Sequence, residues 1–140
     1  MSVKTYSRKT DARKRIAKNF LVGEFACHDG ADKILLSEEL VVALQAIRDH
    51  FGAPVKITSG YRTPYWNKHV GGVSNSQHVL GKAADINVDG QTPMALYRAI
   101  DNGWVPGVCP TVMGLGVYLS FFHIDVRGQH ARWSGKGVGV

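Results

Sequence analysis

The chain has 140 residues, 44% of them hydrophobic and 20% charged, which is the balance of a globular protein with room for one domain and a hydrophobic core. No apolar run approaches the roughly 18 residues of a membrane-spanning helix, and the polar, basic first ten residues lack the apolar stretch of a secretory signal. We therefore expect a protein without membrane insertion that is cytoplasmic on synthesis.

The formal net charge is +6 and much of the excess lies near the start of the chain. A basic balance suits nucleic acid, an anionic membrane or a polyanionic cell wall. No RNP-like aromatic cluster, zinc-finger spacing or helix-turn-helix pattern accompanies it, so a general attraction to wall polymers is favoured over nucleic acid. Cys27 and Cys109 lie far apart without a CxxC pair, and we expect two reduced thiols.

Residues 1–19 are interpreted as a basic lead-in, with a helical turn after Asp11. The next segment carries apolar residues expected to anchor the N-terminus to the core: Phe20, Leu21, Val22, Phe25 and Cys27. An amphipathic helix is predicted over 38–51, because apolar residues recur at helical spacing and Ser37 is a suitable N-cap. Gly52 and Pro54 end it.

The rest of the chain alternates between short strands, helices and loops without regular βαβ units. This pattern predicts an α+β fold with a small, largely antiparallel sheet flanked by helices. The predicted strands are 55–59, 83–88, 114–119 and 121–126, with a tight turn near Ser120; the predicted helices are 64–69 and 93–101, the latter capped by Thr92; the predicted loops are 71–77 and 102–113, and a Gly-rich tail covers 134–140.

Two of the six histidines stand out because of their neighbours. His78 ends a polar, Gly-rich loop, and Asp85 follows inside an apolar strand, where a carboxylate is costly unless it is paired or bound to metal. His123 lies inside another apolar strand. Two imidazoles and a carboxylate with an open fourth position form a catalytic zinc arrangement. The alternative at this point is a His–Asp hydrogen bond in the core. We expect three of the remaining histidines to be surface or capping residues: His28, His50 and His130. His69, at the end of a short predicted helix, is only slightly more suggestive of a ligand.

Several longer sequence motifs make the interpretation as a metal site more specific. They are Ser59-Gly-Tyr-Arg-Thr-Pro64, Asn75-Ser-Gln-His78, Gly81, Ala83-Ala-Asp-Ile86, His123-Ile-Asp125 and Arg132-Trp133. Together they resemble the zinc D-Ala-D-Ala carboxypeptidase family of murein peptidases, which includes D,D-dipeptidases and L-alanyl-D-glutamate endolysins and shares its fold with the Hedgehog signalling domain. The resemblance implies a peptidase domain over 20–133 that binds Zn²⁺ through His78, Asp85 and His123.

The resemblance also implies roles for two further residues. Arg62 matches the family arginine that faces the scissile carbonyl, where a fixed guanidinium stabilises the developing oxyanion. A structural salt bridge is the alternative for Arg62. Ser76 matches a family residue that contacts substrate, and its alternative is a serine that caps the loop.

The positions at which several relatives carry the general base hold other residues in this sequence. The position three residues before the last ligand is Ser120 rather than an acid, and the position two before it is Phe121 rather than a histidine. Asp125 lies on the same strand face as His123 because strand side chains have a period of two. Asp125 either accepts a proton from zinc-bound water or orients the ligand imidazole.

The function implied is hydrolysis of peptide bonds in peptidoglycan stem peptides, as a carboxypeptidase or an endolysin-type endopeptidase. The alternative is a catalytically idle zinc-binding module that recognises a wall peptide or a protein partner. A protein without an export signal suits a phage endolysin released through a holin, and equally a catalytic unit of a larger wall hydrolase. We expect a monomer, and the bond that is cut stays open.

Overall fold

The computed structural model describes residues 2–138 and contains nine strands, four α-helices and a 3-10 turn over Val22–Phe25 within them. The helices are α1 (Arg8–Asp11), α2 (Glu38–Phe51), α3 (Pro64–His69) and α4 (Pro93–Asp101). The strands are β1 (Val3–Ser7), β2 (Arg15–Ala17), β3 (Phe20–Leu21), β4 (Lys33–Ser37), β5 (Val55–Ser59), β6 (Ala83–Val88), β7 (Gly114–Val117), β8 (Phe122–Asp125) and β9 (Ala131–Ser134). The predicted α+β class is confirmed.

A five-stranded sheet in the order β5-β6-β8-β7-β9 forms the centre of the fold. Its pairs are antiparallel except β7 with β9, which run parallel. In this register Asp85 on β6 lies directly opposite His123 on β8, and Gly116 on β7 lies on the other side of His123. Directly opposed residues have Cβ atoms about 5 Å apart, so the register alone brings Asp85 and His123 together.

The three longer helices begin and end where their sequence signals place them. Ser37 Oγ accepts a hydrogen bond from Leu40 N at 3.3 Å at the start of α2. At its end Gly52 adopts a φ of 59° and donates from its N–H to Arg48 O, a conformation that glycine takes without strain. Thr63 and Thr92 cap α3 and α4 in the same way as Ser37.

The N-terminal segment is built into the fold by backbone pairing. β1 pairs with β4 over five residues, and β2 pairs with β3. The helical turn predicted after Asp11 is wrong in position: α1 ends at Asp11, whose carboxylate accepts a hydrogen bond from Ser7 N at 2.8 Å across that turn. The division into lead-in (1–19), peptidase domain (20–133) and tail (134–140) stays a proposal, and Met1, Gly139 and Val140 lie outside the described residues.

One hydrophobic core lies between the sheet and α2 and α4. Four of the five predicted N-terminal anchors are buried in it, and Leu21 is half-buried. Both cysteines are free thiols, as expected. Among residues 2–138, no helix has the length and apolar character needed to span a bilayer.

Candidate metal centre and active-site cavity

The side chains of His78, Asp85 and His123 meet at one point of the sheet. Each is less than 10% exposed, and one potential ligand atom from each lies within 4.8 Å of the others. His78 reaches this point from the loop that precedes β6. Asp85 and His123 come from the centres of two paired strands.

Hydrogen bonds fix which nitrogen of each imidazole faces the centre. His78 Nδ1 donates to Gly60 O at 2.7 Å, so Nε2 is directed at Asp85 Oδ1, 3.2 Å away. His123 is oriented in the opposite sense: Nδ1 lies 2.8 Å from Asp85 Oδ1, and Nε2 lies 2.8 Å from Asp125 Oδ2. A backbone carbonyl and a carboxylate behind two imidazoles are the usual partners that orient metal-ligating histidines.

The close contact between the Asp85 carboxylate and the two imidazoles dominates the electrostatics of the centre. Burial opposes ionisation of Asp85, but hydrogen bonds with His123 and His78 hold its pKa well below the usual carboxyl range. Burial likewise disfavours charge on His123, while hydrogen bonds to Asp125 and Asp85 raise its pKa. The centre therefore keeps an ionised carboxylate between two imidazoles.

This donor set fits a zinc ion. Two imidazole nitrogens and one carboxylate oxygen are the ligands of many catalytic zinc sites, with one position left for water or substrate. Ions that prefer oxygen-only surroundings, such as Ca²⁺, are poorly served by two imidazoles. The three residues named from the sequence are thus able to hold the metal together.

Asp125 lies behind His123, on the far side of the imidazole from Asp85. It is fully buried, and Arg127 binds it through two parallel hydrogen bonds, Nε to Oδ1 at 2.8 Å and a terminal nitrogen to Oδ2 at 2.7 Å. Burial opposes its ionisation, but hydrogen bonds from His123 and Arg127 lower its pKa to about 2. Both carboxylate oxygens are therefore occupied by fixed donors.

Arg62 lies beside the centre, with its guanidinium held on three sides. It donates to Ser59 Oγ and Asn67 Oδ1 at 3.2 Å each, and to Asp85 Oδ2 at 3.4 Å. Its side chain is only 16% exposed. The arginine is therefore positioned both by its own loop and by the carboxylate of the centre.

A cavity of about 880 Å³ opens over the centre. Five of the six residues singled out from the sequence line it: Arg62, Ser76, His78, Asp85 and His123. The sixth, Asp125, does not. Ser76 is buried, and its Oγ accepts a hydrogen bond from His78 N at 3.2 Å. Among the described residues that line the cavity, Asp85 is the only carboxylate.

Comparison with known proteins agrees with this geometry. The family model described as Peptidase M15 matches residues 16–125. The chain belongs to the peptidase M15 family. A curated zinc D-Ala-D-Ala carboxypeptidase from Streptomyces albus G is 35% identical over 100 residues, which is 69% of this chain and 37% of that protein. This M15 chain thus spans little more than a third of the length of that relative.

The sequence predicts no role for two aromatic residues of this M15 site, Tyr118 and Trp133. Trp133 packs against His123 with ring centres 5.1 Å apart, and its Nε1 donates to Tyr118 Oη at 2.7 Å. The Arg127 guanidinium lies 5.0 Å from the Trp133 ring centre. Trp133 belongs to one of the motifs that carry the family resemblance, but its place beside His123 depends on the parallel strand β9, which the sequence pattern does not indicate.

Proposed function

We propose that this M15 protein is a zinc-dependent peptidase that hydrolyses peptide bonds in the stem peptides of bacterial peptidoglycan. The observation that carries the proposal is the meeting of His78, Asp85 and His123 under a cavity whose wall also holds the Arg62 guanidinium. The similarity to a zinc D-Ala-D-Ala carboxypeptidase supports the choice of metal and of substrate class.

The proposed ligands are His78 Nε2, a carboxylate oxygen of Asp85 and His123 Nδ1. These are the atoms that the hydrogen bonds of Gly60 and Asp125 direct toward the centre. A zinc ion there supplies an acidified water nucleophile and polarises the scissile carbonyl.

Arg62 is proposed to stabilise the negative charge that develops on the carbonyl oxygen during attack. Its three hydrogen bonds hold the guanidinium in place before substrate binds, so little reorganisation is needed in the transition state. Ser76 is proposed to contact substrate from the same wall. Its Oγ accepts from His78 N, which leaves its own proton available for a substrate carbonyl.

Of the two roles left open for Asp125, we propose the orienting one. A general base must come within hydrogen-bond reach of the water that it deprotonates. Asp125 is fully buried behind the imidazole, and its oxygens are bound by His123 and Arg127. Its contribution is to hold the His123 ring with Nδ1 turned toward the metal.

Digestion of purified peptidoglycan, followed by mass spectrometry of the released muropeptides, tests the function. We expect new peptide ends with the zinc-loaded protein and none with His123→Ala. Release of terminal D-alanine alone supports a carboxypeptidase. Cleavage of an internal stem-peptide bond supports an endolysin, for which release through a phage holin is the proposed route to the wall.

The competing function is a zinc-binding module without catalysis. Full zinc occupancy in the wild type with no change in any muropeptide would favour that module and contradict the peptidase. Arg62→Ala provides the matched control, because this variant keeps all three proposed ligands while removing the proposed oxyanion contact.

A further inference from the structure

The N-terminal segment presents an unusual concentration of positive charge. Seven lysines and arginines lie within the first 18 residues, where Asp11 is the only acid. All seven are exposed: Lys4, Arg8, Lys9, Arg13, Lys14, Arg15 and Lys18. None of them lines the cavity of the metal centre.

Four of these cations line a second cavity, of about 850 Å³, between the N-terminal strands and α2. We call it the basic groove and define it by Lys4, Lys14, Arg15 and Lys18. Its floor is apolar and includes Ile16, Leu36 and Val41. Within residues 2–138, it shares no lining residue with the cavity over the metal centre.

Three of the four cations of the basic groove are not neutralised by a carboxylate of the described residues. Lys4 is paired with Glu38 at 2.7 Å. Within residues 2–138, Lys14, Arg15 and Lys18 have no carboxylate within 4.0 Å of their charged nitrogens. The other acid in the lining, Asp49, accepts a hydrogen bond from the Gln45 amide at 2.9 Å.

The backbone that carries these side chains is fixed. Lys14 O accepts a hydrogen bond from Val22 N at 3.0 Å, and Ala12 O accepts one from Gly23 N at 2.9 Å. Arg15 is further held by a hydrogen bond from its guanidinium to Lys18 O at 2.7 Å. Because this segment is ordered before binding, less free energy is spent on ordering the protein when a polyanion binds than would be spent on a flexible arm.

We propose that the basic groove binds a flexible phosphodiester polymer, namely a polyol phosphate chain of the bacterial wall. Charge complementarity between the cations of the basic groove and the phosphates of the polymer supplies the attraction. The choice of a wall polymer rests on the proposed function, because such a chain would hold the enzyme beside its peptide substrate.

Single-stranded nucleic acid fits the same groove less well. Proteins that bind it present aromatic rings on which bases stack. Among the described residues that line the groove, Tyr6 is the only aromatic one; it is half-buried and has the Lys14 ammonium 5.5 Å from its ring centre. One face of the single aromatic ring in this lining is therefore covered by an ammonium group.

Binding of purified poly(glycerol phosphate) to the full-length protein tests the proposal. The groove variant replaces Lys14, Arg15 and Lys18 with glutamine. The matched control replaces Arg8, Lys9 and Arg13 with glutamine, and so removes the same charge from exposed positions outside the groove. We expect about tenfold or greater loss of affinity in the groove variant at about 0.1 M salt, and near wild-type affinity in the control.

Three results would overturn the proposal: no binding by the wild type, an equal loss of affinity in both variants, or equally tight binding of single-stranded DNA of matched charge. Should a triple variant fail to fold, Lys18→Glu against Arg13→Glu makes the same comparison with single changes. Hydrolysis of a short soluble peptide by the wild type, measured separately, shows whether the peptidase proposal has failed independently of polymer binding.

Discussion

His123 donates from Nε2 to Oδ2 of Asp125 at 2.8 Å, and this bond sets which nitrogen of the ring faces the metal centre. Asp125 is held in turn by Arg127 and is fully buried. The chain thus places a buried carboxylate, paired with a partly exposed guanidinium, behind one proposed ligand, and the orientation of that ligand depends on this carboxylate.

We predict that Asp125→Asn weakens zinc binding by about 10- to 100-fold, because the His123 ring loses its ionised hydrogen-bond acceptor. Competition with a chromogenic chelator measures this affinity. Unchanged zinc affinity together with abolished turnover would instead identify Asp125 as the general base.

For Arg62→Ala, kcat should fall by about 100- to 1000-fold while zinc stays bound, because a preorganised donor to the oxyanion is lost. Arg62→Lys should recover only part of the rate, since an ammonium lacks the planar arrangement of separate nitrogens that bonds Ser59 and Asn67. Steady-state kinetics on a short stem peptide measure both. A rise in KM alone would show that Arg62 only binds substrate.

Gly114 provides a test that leaves every proposed ligand in place. A Cβ at this position of β7 would collide with the Asp125 carboxylate. Gly114→Ala should therefore weaken zinc binding and lower the free energy of unfolding by about 1–3 kcal/mol. Gly128→Ala is the control, since a Cβ there meets no atom within 4 Å. Equal zinc affinity in the two variants would contradict the positioning role of Asp125.

Removal of zinc should lower thermal stability. A ligand that binds only the folded state stabilises it by about 4 kcal/mol at a concentration 1000 times its Kd. We expect a lower Tm for the wild type in the presence of a chelator, and no chelator effect for His78→Ala. Equal Tm values for the wild type with and without chelator would show that no metal is bound.

Much of the fold around the site follows from local sequence signals. The predicted helices 38–51, 64–69 and 93–101 and the strands 55–59 and 83–88 are confirmed at the same bounds, because caps, prolines and glycines mark their ends. His78, Asp85 and His123 do come together, since two of them lie on neighbouring strands in register.

The elements that the sequence does not predict depend on pairing between distant segments. β1 joins β4 across more than 25 residues, and its sequence Val-Lys-Thr-Tyr-Ser carries too few apolar residues to indicate a buried strand. β9 joins β7 in parallel and brings Trp133 to His123. Long-range partners of this kind are not encoded in the local periodicity of either strand.

Zinc content of the purified protein tests the central claim most directly, measured by elemental analysis on the wild type and on His78→Ala, Asp85→Asn and His123→Ala. The account predicts about one zinc ion per chain in the wild type and marked loss in each variant that remains folded. Wild-type protein without zinc after metal reconstitution, or variants that keep full occupancy, would contradict it.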